Sequence, residues 1–152
     1  MTAAIGDFGI SSMVTPTARR NYVEQRACCW SSPEVLEREE NISLKADIWS
    51  YGVCVWELFS LGGEPYQDQN LPSAGELLTF LQNGNILKQP ELCNNMDYVL
   101  MKSTWNLNPE ERPSFNYISD WWAVYSLRYF EPGTSDLEDN NNYYAEAAAI
   151  LQ

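Results

Sequence analysis

The sequence of 152 residues contains no histidine. This absence excludes a histidine general base, a Ser-His-Asp triad and any zinc site that uses histidine. The four cysteines, Cys28, Cys29, Cys54 and Cys93, show no C-x-x-C spacing, so a zinc finger is excluded as well. We interpret them as free thiols of a protein in a reducing compartment, which favours the cytoplasm.

Positive charge is also scarce: 9 Lys and Arg stand against 21 Asp and Glu, for a net charge of −12. Such acidity argues against nucleic acid or an anionic membrane surface as the main partner. No apolar run approaches the roughly 18 residues that mark a membrane-spanning helix, so no membrane segment is predicted. The length and an apolar content of 45% fit one globular domain.

The charge is unevenly distributed along the chain. Residues 131–152 hold five acidic residues and no basic one, are rich in Asn and show no hydrophobic period. A segment of this composition buries too little apolar surface to offset its conformational entropy. We therefore predict an acidic, mostly disordered tail over 131–152 after a domain over 1–130.

One stretch, residues 45–61, is apolar on nearly its whole circumference when it is drawn as a helix. It is too long for an ordinary strand, and Gly62-Gly63 would supply the left-handed residue that commonly ends a helix. A helix that is apolar on almost every side is buried in a core. The pattern predicts a mainly α fold around this central helix, with little or no sheet.

The polar residues of this helix form one narrow seam. Asp47, Ser50, Cys54 and Glu57 recur at three- and four-residue intervals, so they share a face. Asp47, near the helix N-terminus, would either hold the backbone of another segment or be an ordinary half-exposed carboxylate. The helix alone leaves both interpretations open.

Four further helices are predicted around the central one, and residues 10–29 are predicted as a long loop that is functional or disordered. Ser73 and Glu76 have the spacing of a capping box. The helices cover 35–38, a segment from Ser73 to Asn83-Gly84, a segment capped by Asn95 and ended by Asn108-Pro109, and a segment opened by Pro113-Ser114.

Five short motifs follow one another at characteristic spacing. They are Asp7-Phe8-Gly9, Ser32-Pro33-Glu34 directly after Trp30, Asp47 to Gly52, Gly63-Glu64-Pro65-Tyr66, and Arg112 to Phe115. In this order they resemble the D-F-G to last-helix half of a protein kinase domain, the C-terminal lobe. Trp30 directly ahead of the S-P-E triplet resembles the tyrosine kinase version of the motif, and the run from Trp56 to Tyr66 is similar to receptor tyrosine kinases of the growth-factor-receptor type. The resemblance covers residues 5–122.

The resemblance implies a cofactor site and a regulatory segment. Asp7 would ligate the Mg²⁺ of Mg-ATP, Phe8 would set the active or inactive arrangement, and Gly9 completes the motif. Residues 10–31 would be the activation segment, with Tyr22 as its phosphorylation site. The alternative is that Tyr22 is an ordinary exposed tyrosine.

It also implies structural roles for four residues. Glu34 and Arg112 would form the buried ion pair that holds the activation segment on the last helices. Asp47 would hold the backbone of the catalytic loop, and Trp49 would belong to the core.

The same family needs a Gly-rich loop, a strand lysine and an H-R-D catalytic loop, all of which precede D-F-G. Since D-F-G begins at residue 7 and histidine is absent, these 152 residues are expected to lack a catalytic aspartate and to be inactive alone. The expected function is that of a fragment of an ATP-dependent tyrosine kinase acting on protein substrates. The alternative is a non-catalytic, pseudokinase-like lobe that serves as a binding or scaffolding module.

Two further features concern binding partners. Tyr143 and Tyr144 in the tail are candidate autophosphorylation sites for phosphotyrosine readers. Arg26-Ala27-Cys28-Cys29 and Ser31-Ser32 depart from the family pattern in the substrate-docking region. These departures distinguish the chain from the usual peptide-docking pattern of the family.

Overall fold

The computed structural model describes residues 27–129 except residues 70 and 72. Five α-helices and four short 3-10 helices account for the regular structure of these residues, and no strand occurs among them. The prediction of a mainly α fold with little or no sheet is confirmed for them. The α-helices are α1 (Pro33–Glu37), α2 (Leu44–Phe59), α3 (Ala74–Gln82), α4 (Asn95–Thr104) and α5 (Phe115–Tyr129).

The chain divides into two units, residues 1–115 and 116–152. In the first unit, α2 is the central helix. Ser43 caps its N-terminus, because the Ser43 hydroxyl accepts a hydrogen bond from the Ala46 amide at 3.3 Å. Trp49 and Val53 are fully buried on this helix, as the apolar pattern predicted. The helix begins at Leu44, one residue before the predicted start, and ends at Phe59, two residues before the predicted end.

Helices α2 and α4 approach each other closely at Gly52. A Cβ atom at this position would overlap Oγ1 of Thr104 and would lie 2.7 Å from Nε1 of Trp105. Thr104 is fully buried and donates its hydroxyl hydrogen to the Met101 carbonyl at 2.7 Å. Only a residue without a side chain therefore allows this helix packing.

The C-terminus of α2 differs from the prediction. The Leu61 amide donates to the Leu58 carbonyl and the Gly62 amide to the Glu57 carbonyl, which are the two hydrogen bonds of a Schellman motif. The left-handed position that glycine usually fills is taken by Leu61, with φ of 56°. Gly62, predicted for that role, follows it with φ of 85°.

Helix α3 ends in the same motif with the expected residue. Gly84 has φ of 81°, its amide donates to the Leu81 carbonyl, and the Asn85 amide donates to the Phe80 carbonyl. At the other end the Ser73 hydroxyl accepts from the Glu76 amide at 3.3 Å and donates to the Glu76 carboxylate at 2.8 Å. The capping residues predicted for both ends of α3 are those observed.

Two predicted boundaries around α4 are wrong. Asn94, not Asn95, caps the helix, because its side-chain oxygen accepts from the Asp97 amide at 2.9 Å. The helix ends at Thr104, well before Asn108-Pro109. Asn108 instead caps a separate 3-10 turn, Pro109–Glu111, by accepting from the Glu110 amide. The first short helix is also displaced: it starts at Pro33, whose fixed φ suits a first helical turn.

The second unit contains nearly all of α5. This helix starts directly after the predicted Pro113-Ser114. Trp121 and Trp122 meet edge to face within it, with ring centroids 4.9 Å apart. Among the residues for which coordinates are described, no helix is both long and apolar enough to cross a membrane.

Candidate functional site

Arg112 is the most buried cation described, with only 2% of its surface exposed. It follows the 3-10 turn Pro109–Glu111, which directs it toward α1 and the start of α2. Its Nη1 and Nη2 bind the two carboxylate oxygens of Glu34 at 2.6 and 2.8 Å, a two-pronged ion pair. Nη1 also donates to the Lys45 carbonyl and Nε to the Asn106 carbonyl, both at 2.8 Å. Such a fork fixes both distance and orientation.

The carboxylate of Glu34 keeps its charge in this setting. Burial acts to raise the pKa of Glu34, but the hydrogen bonds from Arg112, together with the Arg112 charge, lower it overall. Glu34 also lies in the first turn of α1, where the helix dipole favours a negative charge. The pair is therefore ionised at neutral pH.

Lys45 makes the reciprocal contact to the backbone of Arg112. While Arg112 donates to the Lys45 carbonyl, the Lys45 ammonium donates to the Arg112 carbonyl at 2.7 Å and to the Glu110 carbonyl at 3.4 Å. Each side chain thus satisfies the backbone of the other residue. This exchange fixes the N-terminus of α2 to the 3-10 turn.

Trp49 lies beneath the ion pair. Its ring is fully buried, and the Arg112 guanidinium carbon is 5.1 Å from the ring centroid, within cation–π range. Trp49 therefore packs in the core and also supports the charged group above it.

The segment before Glu34 is fixed separately, through Trp30. The Trp30 indole donates to the Glu57 carboxylate at 3.1 Å, and the Ser50 hydroxyl donates to the Trp30 carbonyl at 2.7 Å. Both partners belong to α2, so this helix binds the entry to α1 at two points. We refer to Glu34, Lys45, Arg112 and the Trp30 contacts as the anchor.

The predicted polar seam of α2 is thus divided by function. Ser50 and Glu57 bind Trp30, whereas Asp47 and Cys54 are exposed. Asp47 holds no other segment among the hydrogen bonds that the structure describes. Its predicted role in orienting a catalytic loop remains a prediction.

The 3-10 turn Ala27–Trp30 contains the two adjacent thiols. Cys28 is buried, and both cysteines are free. Burial first, then the neighbouring Cys28 and the Glu64 charge, raise the pKa of Cys29 to about 11. The thiol is therefore protonated at neutral pH, which makes it a poor nucleophile.

The residues predicted for cofactor binding and phosphorylation lie outside the described part of the chain. These are Asp7, Phe8, Gly9, Tyr22, Tyr143 and Tyr144. In the remainder, no cluster of three or more Cys, Asp or Glu side chains is placed to hold a metal ion.

A comparison with known protein families identifies the family to which this chain belongs. A family model described as protein tyrosine and serine/threonine kinase matches residues 1–121. The chain belongs to this family. The predicted resemblance to a tyrosine kinase is confirmed, and the helices of the described residues agree with the C-terminal lobe of the domain.

Several curated relatives are receptors. The tyrosine-protein kinase receptor ver-3 of Caenorhabditis elegans is 37% identical over 116 residues, and the fibroblast growth factor receptor homolog 1 of Drosophila melanogaster is 34% identical over 119. The insulin-like growth factor 1 receptor of Xenopus laevis is 35% identical over 116. These matches cover 74%, 77% and 75% of this chain but only 9%, 16% and 8% of the relatives. The chain therefore spans less than a fifth of their length.

Sequence reasoning missed two parts of the anchor. Lys45 carries no motif of its own, and only its position at the start of α2, facing the turn before Arg112, reveals its contact. Ser50 and Glu57 were identified as polar seam residues, but not as partners of Trp30. The separation of 27 residues between Trp30 and Glu57 leaves no local signal in the sequence.

Proposed function

We propose that this chain is a segment of an ATP-dependent protein tyrosine kinase, whose complete domain transfers a phosphoryl group from Mg-ATP to tyrosine in a protein substrate. The Glu34–Arg112 pair carries this proposal most directly, because it joins two of the kinase motifs, S-P-E and the one that begins at Arg112. The receptor tyrosine kinases among the relatives favour tyrosine as the acceptor. By the same likeness, the segment would work on the cytoplasmic side of the plasma membrane.

The anchor would hold the end of the activation segment, residues 10–31, on the lobe. Two observations support this role: Trp30 is bound by Ser50 and Glu57 of α2, and Glu34 is bound by Arg112 from a distant turn. A substrate-binding surface built on this segment would then have a fixed end. The anchor is a positioning device, not a catalytic group.

The cofactor and regulatory residues follow from the motifs alone. Asp7 would supply a carboxylate oxygen to Mg²⁺, and Phe8 and Gly9 would complete that corner of the ATP site. Tyr22 would be the switching phosphorylation site, since Arg19, Arg20 and Arg26 could pair with the added charge. Tyr143 and Tyr144 would be tail sites for phosphotyrosine readers.

A non-catalytic lobe is the second candidate. These 152 residues contain no histidine and therefore no H-R-D loop, so by themselves they should not transfer phosphate. In this case the lobe would bind or scaffold partners. The domain boundaries proposed are 1–130 for the kinase part and 131–152 for the tail.

A chimera separates the two candidates. Residues 1–121 would replace the matching segment of the Drosophila fibroblast growth factor receptor homolog 1 kinase domain, and tyrosine phosphorylation of a Glu/Tyr copolymer would be measured. We expect activity that depends on Mg-ATP and is abolished by Asp7→Asn. The unmodified receptor domain is the positive control.

A folded chimera without activity would favour the scaffolding lobe. The isolated chain provides a further measurement. If it phosphorylated the copolymer and Asp7→Asn removed this activity, the expected inactivity of the chain alone would be wrong.

A further inference from the structure

On the same lobe, a groove opens beside the second half of α2. It has a volume of about 210 Å³ and lies between α2, the loop 63–69 and residues 86–88. We call it the Trp56 groove. Cavities that enclose drug-sized ligands measure about 300–1,000 Å³, so this smaller groove has room for a single side chain.

Two aromatic residues contribute to its apolar lining, together with Ile86 and Leu87. Trp56 is half-buried, and its indole nitrogen donates to the Lys88 carbonyl at 2.7 Å, which fixes the ring in the wall. Tyr66 is buried and meets Phe80 edge to face, with centroids 6.0 Å apart. The faces of such rings attract cations, and tryptophan does so most strongly.

The charges at the groove have the complementary arrangement. Glu64 and Asp68, two exposed carboxylates, line it, against one cation, Lys88. An aromatic wall beside an excess of carboxylates is suited to a guanidinium or ammonium group. The net charge of −12 would also draw a basic partner toward the surface.

The backbone of the loop is strained where it borders the groove. Tyr66 has φ of 61°, a left-handed conformation that a residue with a side chain seldom adopts. Such strain persists where the surroundings enforce it and is frequent at binding sites. Here the strained residue is itself one of those that line the groove.

We propose that the Trp56 groove binds an arginine side chain of a peptide partner. The guanidinium would lie against the Trp56 ring and pair with the carboxylates of Glu64 and Asp68. Arginine suits the groove better than lysine, because a planar guanidinium both stacks on an indole and binds carboxylates through its fork. The site requires no ATP and no catalytic loop, so it stands independently of the kinase assignment.

The test is a titration of the full chain, labelled with ¹⁵N, by N-acetyl-arginine amide. Its uncharged analogue, N-acetyl-citrulline amide, is the matched probe. The reporter is the Trp56 indole N–H signal, which Trp56→Phe identifies by removing it. We expect saturable movement of this signal by the arginine probe and, since cation–π and exposed ion pairs each contribute modestly, at least about fivefold weaker binding of the citrulline probe.

Three variants examine the charges. Glu64→Gln with Asp68→Asn should raise the Kd for the arginine probe at least about fivefold, whereas Lys88→Gln should lower it about twofold. The control is Glu39→Gln with Glu40→Gln, which removes two exposed charges elsewhere and should leave the Kd unchanged. All substituted positions are exposed, so the spectra should remain those of the folded chain.

Three results would overturn the proposal. Equal binding of the citrulline probe would show that charge is not recognised. An equal loss in the control variant would indicate general attraction to an acidic protein. Tighter binding of N-acetyl-glutamate amide, with a loss in Lys88→Gln, would make the groove an anion site. None of these results bears on the chimera, whose failure would leave the groove intact.

Discussion

At the scale of single residues, Arg112 has the largest expected effect on stability. Its guanidinium is fully buried and is balanced by one carboxylate, Glu34, which retains 18% exposure of its side chain. Whether a buried pair adds net stability depends on its surroundings, but removing one partner is costly because the other charge stays buried. The two halves of this pair are therefore not equivalent.

The first prediction follows from this asymmetry. Glu34→Ala leaves the Arg112 guanidinium buried without a counter-charge and should lower the free energy of unfolding by about 3–5 kcal/mol. Urea denaturation measures this loss. Glu40→Ala, at an exposed position, is the control and should change stability by at most about 0.5 kcal/mol. Similar losses in both variants would contradict the role of the pair.

The second prediction concerns the pH dependence. The folded chain holds the pKa of Glu34 below its ordinary value of 4.5, so the unfolded chain takes up the proton first as the pH falls. The stabilisation by Glu34 is present above pH 4.5 and is lost as the pH falls through the lower, folded pKa. Glu34→Gln should therefore show a smaller loss of stability between neutral and acidic pH. Parallel pH profiles for the variant and the original chain would rule this out.

The third prediction uses the two helix ends. Leu61 is 81% exposed and occupies a left-handed position, which costs a residue with a side chain about 1–2 kcal/mol. Leu61→Gly should raise the free energy of unfolding by about 0.5–1 kcal/mol after the extra entropy of glycine in the unfolded chain is subtracted. Thermal unfolding gives the sign.

Gly84 is the matched control for Leu61, because it occupies the equivalent position at the end of α3. Gly84→Ala should destabilise the chain by about 1 kcal/mol, the opposite direction. If Leu61→Gly also destabilised the chain, the Leu61 side chain would contribute more than the backbone strain costs.

At the scale of elements, the closest contact is that of α2 with α4 at Gly52. Alanine is ordinarily the better helix former by about 1 kcal/mol, so an exposed glycine would be improved by this change. At Gly52 the added methyl group would overlap the Thr104 hydroxyl. The two effects have opposite signs, and the steric one is the larger.

The fourth prediction is that Gly52→Ala lowers the free energy of unfolding by about 1–3 kcal/mol, as overpacking does. Thr104→Ala removes the overlapping hydroxyl, so the double variant should recover part of the loss, measured as a coupling energy in a double-mutant cycle. Gly75→Ala in α3 is the control: its nearest neighbour would be Ser73 Oγ at 4.0 Å, and it should not destabilise. Strictly additive effects at positions 52 and 104 would show that the helices do not meet there.

The elements also show which features the sequence could predict. Ser73, Glu76 and Gly84 act on neighbours within a turn, so their spacing alone located α3. The burial of Trp49 and Val53 in α2 followed from the apolar residues around most of its circumference. Gly52 is different: its need for glycine comes from Thr104, on another helix, and no local pattern encodes that approach. The exchange between Lys45 and Arg112 is likewise a contact across the fold.

The errors at the helix ends have a local cause. Asn94 and Asn95 are adjacent and chemically identical, so only the hydrogen bond to the Asp97 amide decides which one caps α4. At the end of α2, glycine at two positions suggested a glycine in the left-handed site, yet the hydrogen bonds place Leu61 there. The contact of Glu34, in the Ser32-Pro33-Glu34 motif, with Arg112 was predicted although the two residues are far apart in the sequence. That prediction rested on the family resemblance, which implies contacts across the fold.

At the scale of the whole molecule, the dominant property is the net charge of −12. Charge of one sign repels itself and destabilises the folded state. The ion pair between Glu34 and Arg112 is shielded from solvent on its arginine side, so added salt should weaken it little. Added salt should therefore act mainly by weakening the repulsion between like charges.

The fifth prediction is that salt stabilises this protein. Raising NaCl from about 0.01 M to about 0.15 M shortens the screening length from about 30 Å to about 8 Å, so the free energy of unfolding in urea should increase. Removal of residues 131–152 takes away five negative charges and no positive one, and it should reduce the salt effect. A free energy of unfolding that falls with added salt would contradict this prediction. It would mean that favourable ion pairs on the surface outweigh the repulsion between like charges.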